Sequence, residues 1–272
     1  MISGQIVVPP SLADIYAKPR IGYHSYIPDA TVTVSSADSD HPKELIYNYF
    51  TYDAWMAGSA GSQWIEIQTS NIESVDYVGI CSHNLATAQA SFVLQYWDGM
   101  AWQDAMNDFL PAYDYPFMFE FLPVVSNRFR FLILHSAVPV FIGVLFIGQI
   151  MHFERGLYVG HSPATYNRVD DILNSRSEGG QFLGRSTISE GGQTTIELNH
   201  LSPSWVRSTW VPFQDHARLK PYFFAWRPQD YPYEVIYGWS TSTPVPTVSG
   251  IDYYQVSISM QGQIGVTELD IS

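Results

Sequence analysis

Glycine and proline interrupt this chain every few residues, with 19 and 17 of them in 272 positions. A glycine weakens a helix interior by about 1 kcal/mol and a proline by about 3 kcal/mol. Few stretches can therefore sustain the i, i+3, i+4, i+7 apolar pattern of a helix. What lies between the breaks is short and strand-like. Residues 31–34, 63–67, 77–80, 92–96, 129–134 and 144–147 are rich in Val, Ile, Leu, Phe and Tyr, and several alternate apolar with polar side chains. That period of two marks a strand with one buried face. Runs at 222–226, 234–239 and 253–260 continue the pattern, and one helix is expected from Trp205 to Trp210, with Ser202 or Ser204 as its cap and Pro203 in its first turn. The expected class is all-β, built as sandwich or barrel.

Composition narrows the chemistry. Aromatic residues make up 15% of the chain and charged residues 14%, which suits large contact surfaces on pleated sheets. The net charge is −13, with 14 acidic against 5 basic side chains in residues 1–152 and 12 against 8 in residues 153–272. The lysines are Lys18, Lys43 and Lys220, so no basic stripe exists to neutralise phosphates. Nucleic acid and anionic membranes are excluded as expected direct partners. Cys81 is the single cysteine and sits in an apolar run, which reads as an inert core thiol. The N-terminus lacks the basic and apolar regions of a signal peptide. The apolar run 137–153 is too short for a membrane span and is interrupted by Pro139, Gly143, Gly148 and His152. Two buried strands joined by a bend are expected there, in a protein made in the cytoplasm.

A change in character falls near residue 153. Before it, the landmarks follow one another as a strand with Val32 and Val34, a polar loop at 35–42, Asn48-Tyr49, Trp55, and a strand with Trp64, Ile65 and Ile67. Ser82-His83-Asn84-Leu85, Trp97-Asp98-Gly99 and Asn127-Arg128-Phe129 then lead to the apolar run ending at Gly148. This course resembles the discoidin-like, galactose-binding-like jelly roll over residues 20–152, preceded by an N-terminal arm at 1–19. The resemblance implies a glycan- or protein-binding role through loops at one end, although the bridging cysteine pair of extracellular versions is missing. Residues 153–272, through Ser177-Glu178-Gly179-Gly180, the strand to Leu198, Trp226-Arg227-Pro228 and the last strand, resemble the tail-tube-like domains of tail-tip proteins from long-tailed bacteriophages, the distal tail protein among them. That resemblance implies a β-barrel with an extended hairpin, here over 177–198, that assembles with copies of itself into a ring of six at the virion tail tip or baseplate, beside other tail proteins.

His83 and Asn84 stand where a loop could meet a ligand. Tyr113, Tyr115 and Phe117 alternate, and residues two apart in extended chain share a face, so they are expected to form a platform for a glycan or protein. Tyr231 and Tyr233 flank Pro232 in the same way. Ser177, Gly180, Phe182, Arg185 and Gly191 mark the expected assembly hairpin. Asp38, Asp40 and His41 could ligate Ca²⁺, but a turn closed by Asx hydrogen bonds is the expected role. The eight histidines show no metal-binding spacing, and no nucleophile elbow, phosphate loop or dinucleotide motif is present. Asp170, Asp171 and Glu178 give no sign of facing one another across a sugar. No enzymatic activity and no cofactor are expected. The alternative to a virion structural protein is a free carbohydrate-binding protein or an accessory module of a glycan-degrading system.

Overall fold

The computed structural model describes residues 6–7, 18–157, 160–227, 231 and 234–264. Most of the expected N-terminal arm, together with Pro228, Pro232 and Tyr233, lies outside the described residues. The chain is all-β. One sheet contains β1 (Ile6–Val7), β3 (Thr31–Val34), β4 (Trp55–Met56), β5 (Gly61–His83), β6 (Ser91–Trp97), β7 (Trp102–Asp104), β8 (Phe117–Ser136) and β9 (Phe141–Gly148). A second contains β2 (Arg20–Gly22), β10 (Met151–His152), β13 (Gly192–Leu201), β14 (Tyr222–Ala225), β15 (Val235–Ser240), β16 (Thr247–Val248) and β17 (Tyr254–Ile264). The pair β11 (Asp171–Arg176) and β12 (Phe182–Ser189) forms a separate two-stranded sheet.

The first sheet forms a jelly-roll sandwich organised by its two longest strands, β5 and β8. They pair antiparallel from Gly61 with Ser136 to Ile80 with Phe117, with register shifts at 61–63, 68–73 and 75–77. Such bulges let one strand serve both layers. The early part of β5 buries Ile65 and Ile67 on one face only. The later part is buried on both faces, and its alternation divides the side chains between two cores. Val78 and Ile80 join Phe92, Phe117, Phe129 and Phe131 inside the sandwich, whereas Tyr77 and Cys81 point the other way. The same division holds in β9, where Ile142, Leu145 and Ile147 face the sandwich and Val144 and Phe146 face outward. Burial on both faces explains why 141–148 reads as an unbroken apolar run. It is one strand followed by the short β10, as expected.

The outward set meets Phe223, Ala225, Val235 and Tyr237 of the second sheet, forming a third core that joins the two units. The opposite face of the second sheet buries Phe224, Ile236, Ile258 and Leu198 beneath a helical stretch. In that sheet the pairing runs β10-β2-β14-β15-β17-β13. The helical stretch comprises α1 (Pro203–Trp205), a π turn (Val206–Trp210) and α2 (Val211–Ala217). Ser202 Oγ caps it by accepting from the Trp205 N–H at 3.3 Å, as expected, but the helix runs well past Trp210. Pro212 lacks the N–H that would continue an i−4 ladder. The widened turn before it, with the Val211 N–H reaching the Val206 carbonyl, carries the helix through that gap.

Two sequence expectations are corrected here. Arg20–Gly22, placed by the sequence reading in the first unit, pairs with β14 and β10 in the second sheet. The expected hairpin over 177–198 is also shifted. Phe182–Ser189 pairs backward with Asp171–Arg176, while Gly192–Leu201 leaves the hairpin to pair with β17. Strands of polar sequence exposed on both faces lack the alternation that would have announced β11.

Candidate functional site

The end of the sandwich carries the first candidate set. His83 closes β5, completely buried, and its ring is held at both nitrogens. The Nε2–H donates to the Tyr115 carbonyl at 3.0 Å, and Nδ1 accepts from the Leu85 N–H at 3.2 Å. Asp114 lies 3.7 Å from Nδ1 and is itself satisfied by the Ala86 N–H at 2.8 Å and the Thr87 hydroxyl at 2.5 Å. Burial pushes the imidazole down to about 4, against which the hydrogen bond to Tyr115 and the charge of Asp114 act more weakly. His83 therefore stays neutral and laces two loops together, with neither nitrogen turned to a ligand. Asn84 acts likewise, donating to the Pro139 carbonyl at 3.0 Å and accepting from the Phe141 N–H at 2.8 Å.

The lowered His83 pKa has a consequence for stability. An unfolded chain takes up this proton below the ordinary histidine value near 6.5, whereas the folded chain refuses it until pH approaches 4. Stability contributed by His83 is thus present above pH 6.5 and lost as pH falls through that window. The slope approaches about 1.4 kcal/mol per pH unit for one proton. Urea midpoints at pH 7 and pH 5 should differ less in His83→Gln than in the native chain. Equal differences would contradict the assignment.

The aromatic platform is only partly assembled. Residues 112–115 form successive bends rather than extended chain. Tyr113 and Tyr115 lie 6.2 Å apart between ring centroids, and Tyr115 is 45% exposed. Phe117 starts β8 instead and is buried in the sandwich, stacked on Phe92 at 5.5 Å. It belongs to the core and not to a contact surface. Of the five residues proposed for this end, Tyr113 and Tyr115 are left to meet a ligand.

The second candidate is the β11–β12 arm. Its turn is built by Ser177, whose Oγ accepts from the Gln181 N–H at 3.0 Å, and by Gly180 at φ 81°. That left-handed conformation favours glycine. Phe182 and Leu183 are neighbours in a strand, so they point to opposite faces. Their exposures are 67% and 66%, which leaves both faces of the arm bare. Leu173 and Ile188 are also exposed, as is Arg185. Gly191 stands at the base of the arm, its carbonyl accepting from the Val169 N–H at 2.9 Å. Sequence reading found this segment through its glycine pairs but missed half of the hairpin.

The Asp38 loop is closed by an Asx hydrogen bond, Asp40 N–H to Asp38 Oδ1 at 3.0 Å. Cys81 is fully buried and donates to Gln263 Oε1 at 3.0 Å, and burial pushes its thiol pKa far up, which makes it unreactive. Among the described residues no group of three or more His, Cys, Asp or Glu converges as a metal site would, and no helix is long and apolar enough to cross a membrane. A cleft where the two sheets meet, lined by the 49–52 and 217–221 segments, went unnoticed in the sequence because those two walls lie far apart along the chain.

No protein-family model matches the chain, and no curated protein matches it in sequence. Solved structures similar to it include a pectin-binding carbohydrate-binding module at 20% identity and TM-score 0.39, covering 46% of this chain and 93% of that one. A family 32 module from Clostridium perfringens NanJ, solved with galactose, is similar at 8% identity and TM-score 0.41, covering 48% and 99%. Another Clostridium perfringens module, solved with GalNAc-β-1,3-galactose, stands at 9% identity and TM-score 0.41, covering 46% and 100%. Likeness of this degree adds nothing to the all-β class that the strands themselves display.

Proposed function

We propose that this chain is a non-enzymatic assembly protein. In this reading it joins copies of itself through the β11–β12 arm, and its sandwich is a binding domain for a neighbouring protein or a glycan. The observation that carries the proposal is the bare arm. A two-stranded hairpin alone is marginal in water, and this one exposes Leu173, Phe182, Leu183 and Ile188 across its two faces. Exposed strand edges and apolar faces of this kind are suited to continuing a neighbour's sheet. A head-to-tail contact of that sort closes into a ring when its rotation allows. The finer reading is a subunit of a phage tail tip or baseplate within the virion, six to a ring, with other tail proteins or a host glycan as its further partners. It rests on the resemblance of the second half to tail-tube-like domains.

A second reading, a carbohydrate-binding protein acting alone, is favoured by the exposed Tyr115 beside Tyr113. Sedimentation velocity at micromolar concentration separates the two. The assembly reading expects a multiple of 30.7 kDa, reduced to a folded monomer by the double change Phe182→Ser and Ile188→Ser. A native chain that stays monomeric, or a double variant that assembles as well as the native chain, would overturn it.

A further inference from the structure

The cleft between the two units has features that assembly through the arm leaves unexplained. Its volume is about 710 Å³, the size of ordinary ligand pockets. One wall is the segment 48–52, held rigidly. Tyr49 is kept in a left-handed conformation at φ 68° while Tyr237 Oη donates to its carbonyl at 3.0 Å. Asn48 accepts from the Phe50 N–H and donates to Asp53 Oδ1, both at 2.8 Å, and Ser82 Oγ donates to the Thr51 carbonyl at 2.8 Å. A bulky residue at positive φ, fixed by contacts from both units, is strain of the kind that accumulates at binding sites.

The cleft presents aromatic faces that the core does not use. Phe50 and Tyr52 stack at 5.3 Å and 28°, and they are 52% and 81% exposed. Trp239, 53% exposed, stands on the β15 wall. The charge of the cleft is opposite to that of the molecule. Arg218 and Lys220 line it, Lys220 with its ammonium 5.2 Å from the Tyr49 ring centroid, and no Asp or Glu is among its described lining residues. In a chain of net charge −13 with three lysines, that reversal is a local specification for an anion. Ser240 and Gln263 add hydrogen-bonding groups.

We infer that this cleft binds an acidic saccharide. The exposed rings stack on the apolar face of a pyranose, while Lys220 and Arg218 meet its carboxylate through charge-assisted hydrogen bonds. Neither group needs the arm, so binding here is independent of assembly.

Titration calorimetry of the full chain with trigalacturonic acid, and with the same trisaccharide fully methyl-esterified, tests the inference. The acid is expected to bind and the ester to bind about tenfold more weakly, the loss that follows from removing a charge-assisted contact. Lys220→Gln, a change at an exposed position, should weaken the acid by a similar factor while leaving the thermal midpoint unmoved. Trp239→Ala should weaken both forms. Equal affinity for acid and ester, no saturation by about 10 mM acid, or unchanged binding in Lys220→Gln would each overturn the inference. So would tighter binding of a nucleoside diphosphate that excludes the sugar.

Discussion

Replacing Glu120 with alanine is expected to destabilise the fold by about 3–5 kcal/mol, the penalty for leaving a buried charge without its partner. Glu120 lies on β8 with 1% exposure. Its carboxylate accepts from Arg20 Nε at 3.1 Å and lies 2.7 Å from His152 Nε2. Arg20 is completely buried and also donates to the Lys18 and Pro19 carbonyls at 2.9 and 3.2 Å. Arg20 and His152 face each other as register partners in β2 and β10. One carboxylate from the first sheet thus fastens the edge of the second. Truncation would take the Glu120 carboxylate away from a fully buried guanidinium. Glu120→Gln keeps an acceptor and should fall between. The partly exposed pair of Glu66 and Arg128, at 2.7 Å with side chains 21% and 35% exposed, serves as the comparison, because Glu66→Ala should cost about 1 kcal/mol or less. Chemical denaturation of the three variants checks the ranking. A Glu120→Ala chain as stable as Glu66→Ala would contradict the role assigned to this cluster.

Gly262→Ala is expected to cost about 3 kcal/mol through overpacking that no rotamer change can relieve. Gly192, Gly262 and Gly238 lie side by side across β13, β17 and β15 as register partners. A methyl group on Gly262 would overlap the Tyr237 carbonyl oxygen and the Gly238 Cα, which are backbone atoms of the paired strand. One on Gly238 would overlap the Gln261 carbonyl. The strands approach more closely here than side chains permit, so glycine is required for space and not for its dihedral freedom. Gly179→Ala is the control, since its nearest neighbour is Ser177 Oγ at 3.9 Å. Thermal unfolding should show a large drop for Gly262→Ala and almost none for Gly179→Ala. Similar midpoints would mean that the sheet relaxes more readily than its geometry implies.

Much of the fold was legible because burial on one or both faces writes itself into local sequence. The alternation at 63–67 marked a half-buried strand and the apolar run at 137–153 marked buried strands joined by a bend, while Asp98-Gly99 closes a hairpin between β6 and β7. In that hairpin Asp98 Oδ1 accepts from Met100 and Ala101 and Gly99 sits at φ 102°. Arg20–Gly22 was misplaced because its strand partners Phe223–Ala225 on β14 lie about 200 residues away in sequence, a distance at which no periodicity survives. Phe117 was misassigned for a local reason, since the bends at 112–115 break the extended geometry that the Tyr-Asp-Tyr-Pro-Phe spacing assumed. The arm was half-read because β11 exposes nearly every residue. A strand exposed on both faces leaves no alternation to detect. The cleft was invisible for the same reason as Arg20, being assembled from segments that meet only in the folded chain.

Hydrogen exchange of the β11 and β12 amides, followed from dilute to concentrated solution, bears most directly on the assembly role. Protection confined to 171–176 and 182–189 should rise with concentration as the bare faces and edges become covered, while amides of β5 and β8 stay protected throughout. Exchange in the arm that remains fast at every concentration, in a chain whose other strands are protected, would mean that these strands hold nothing in place.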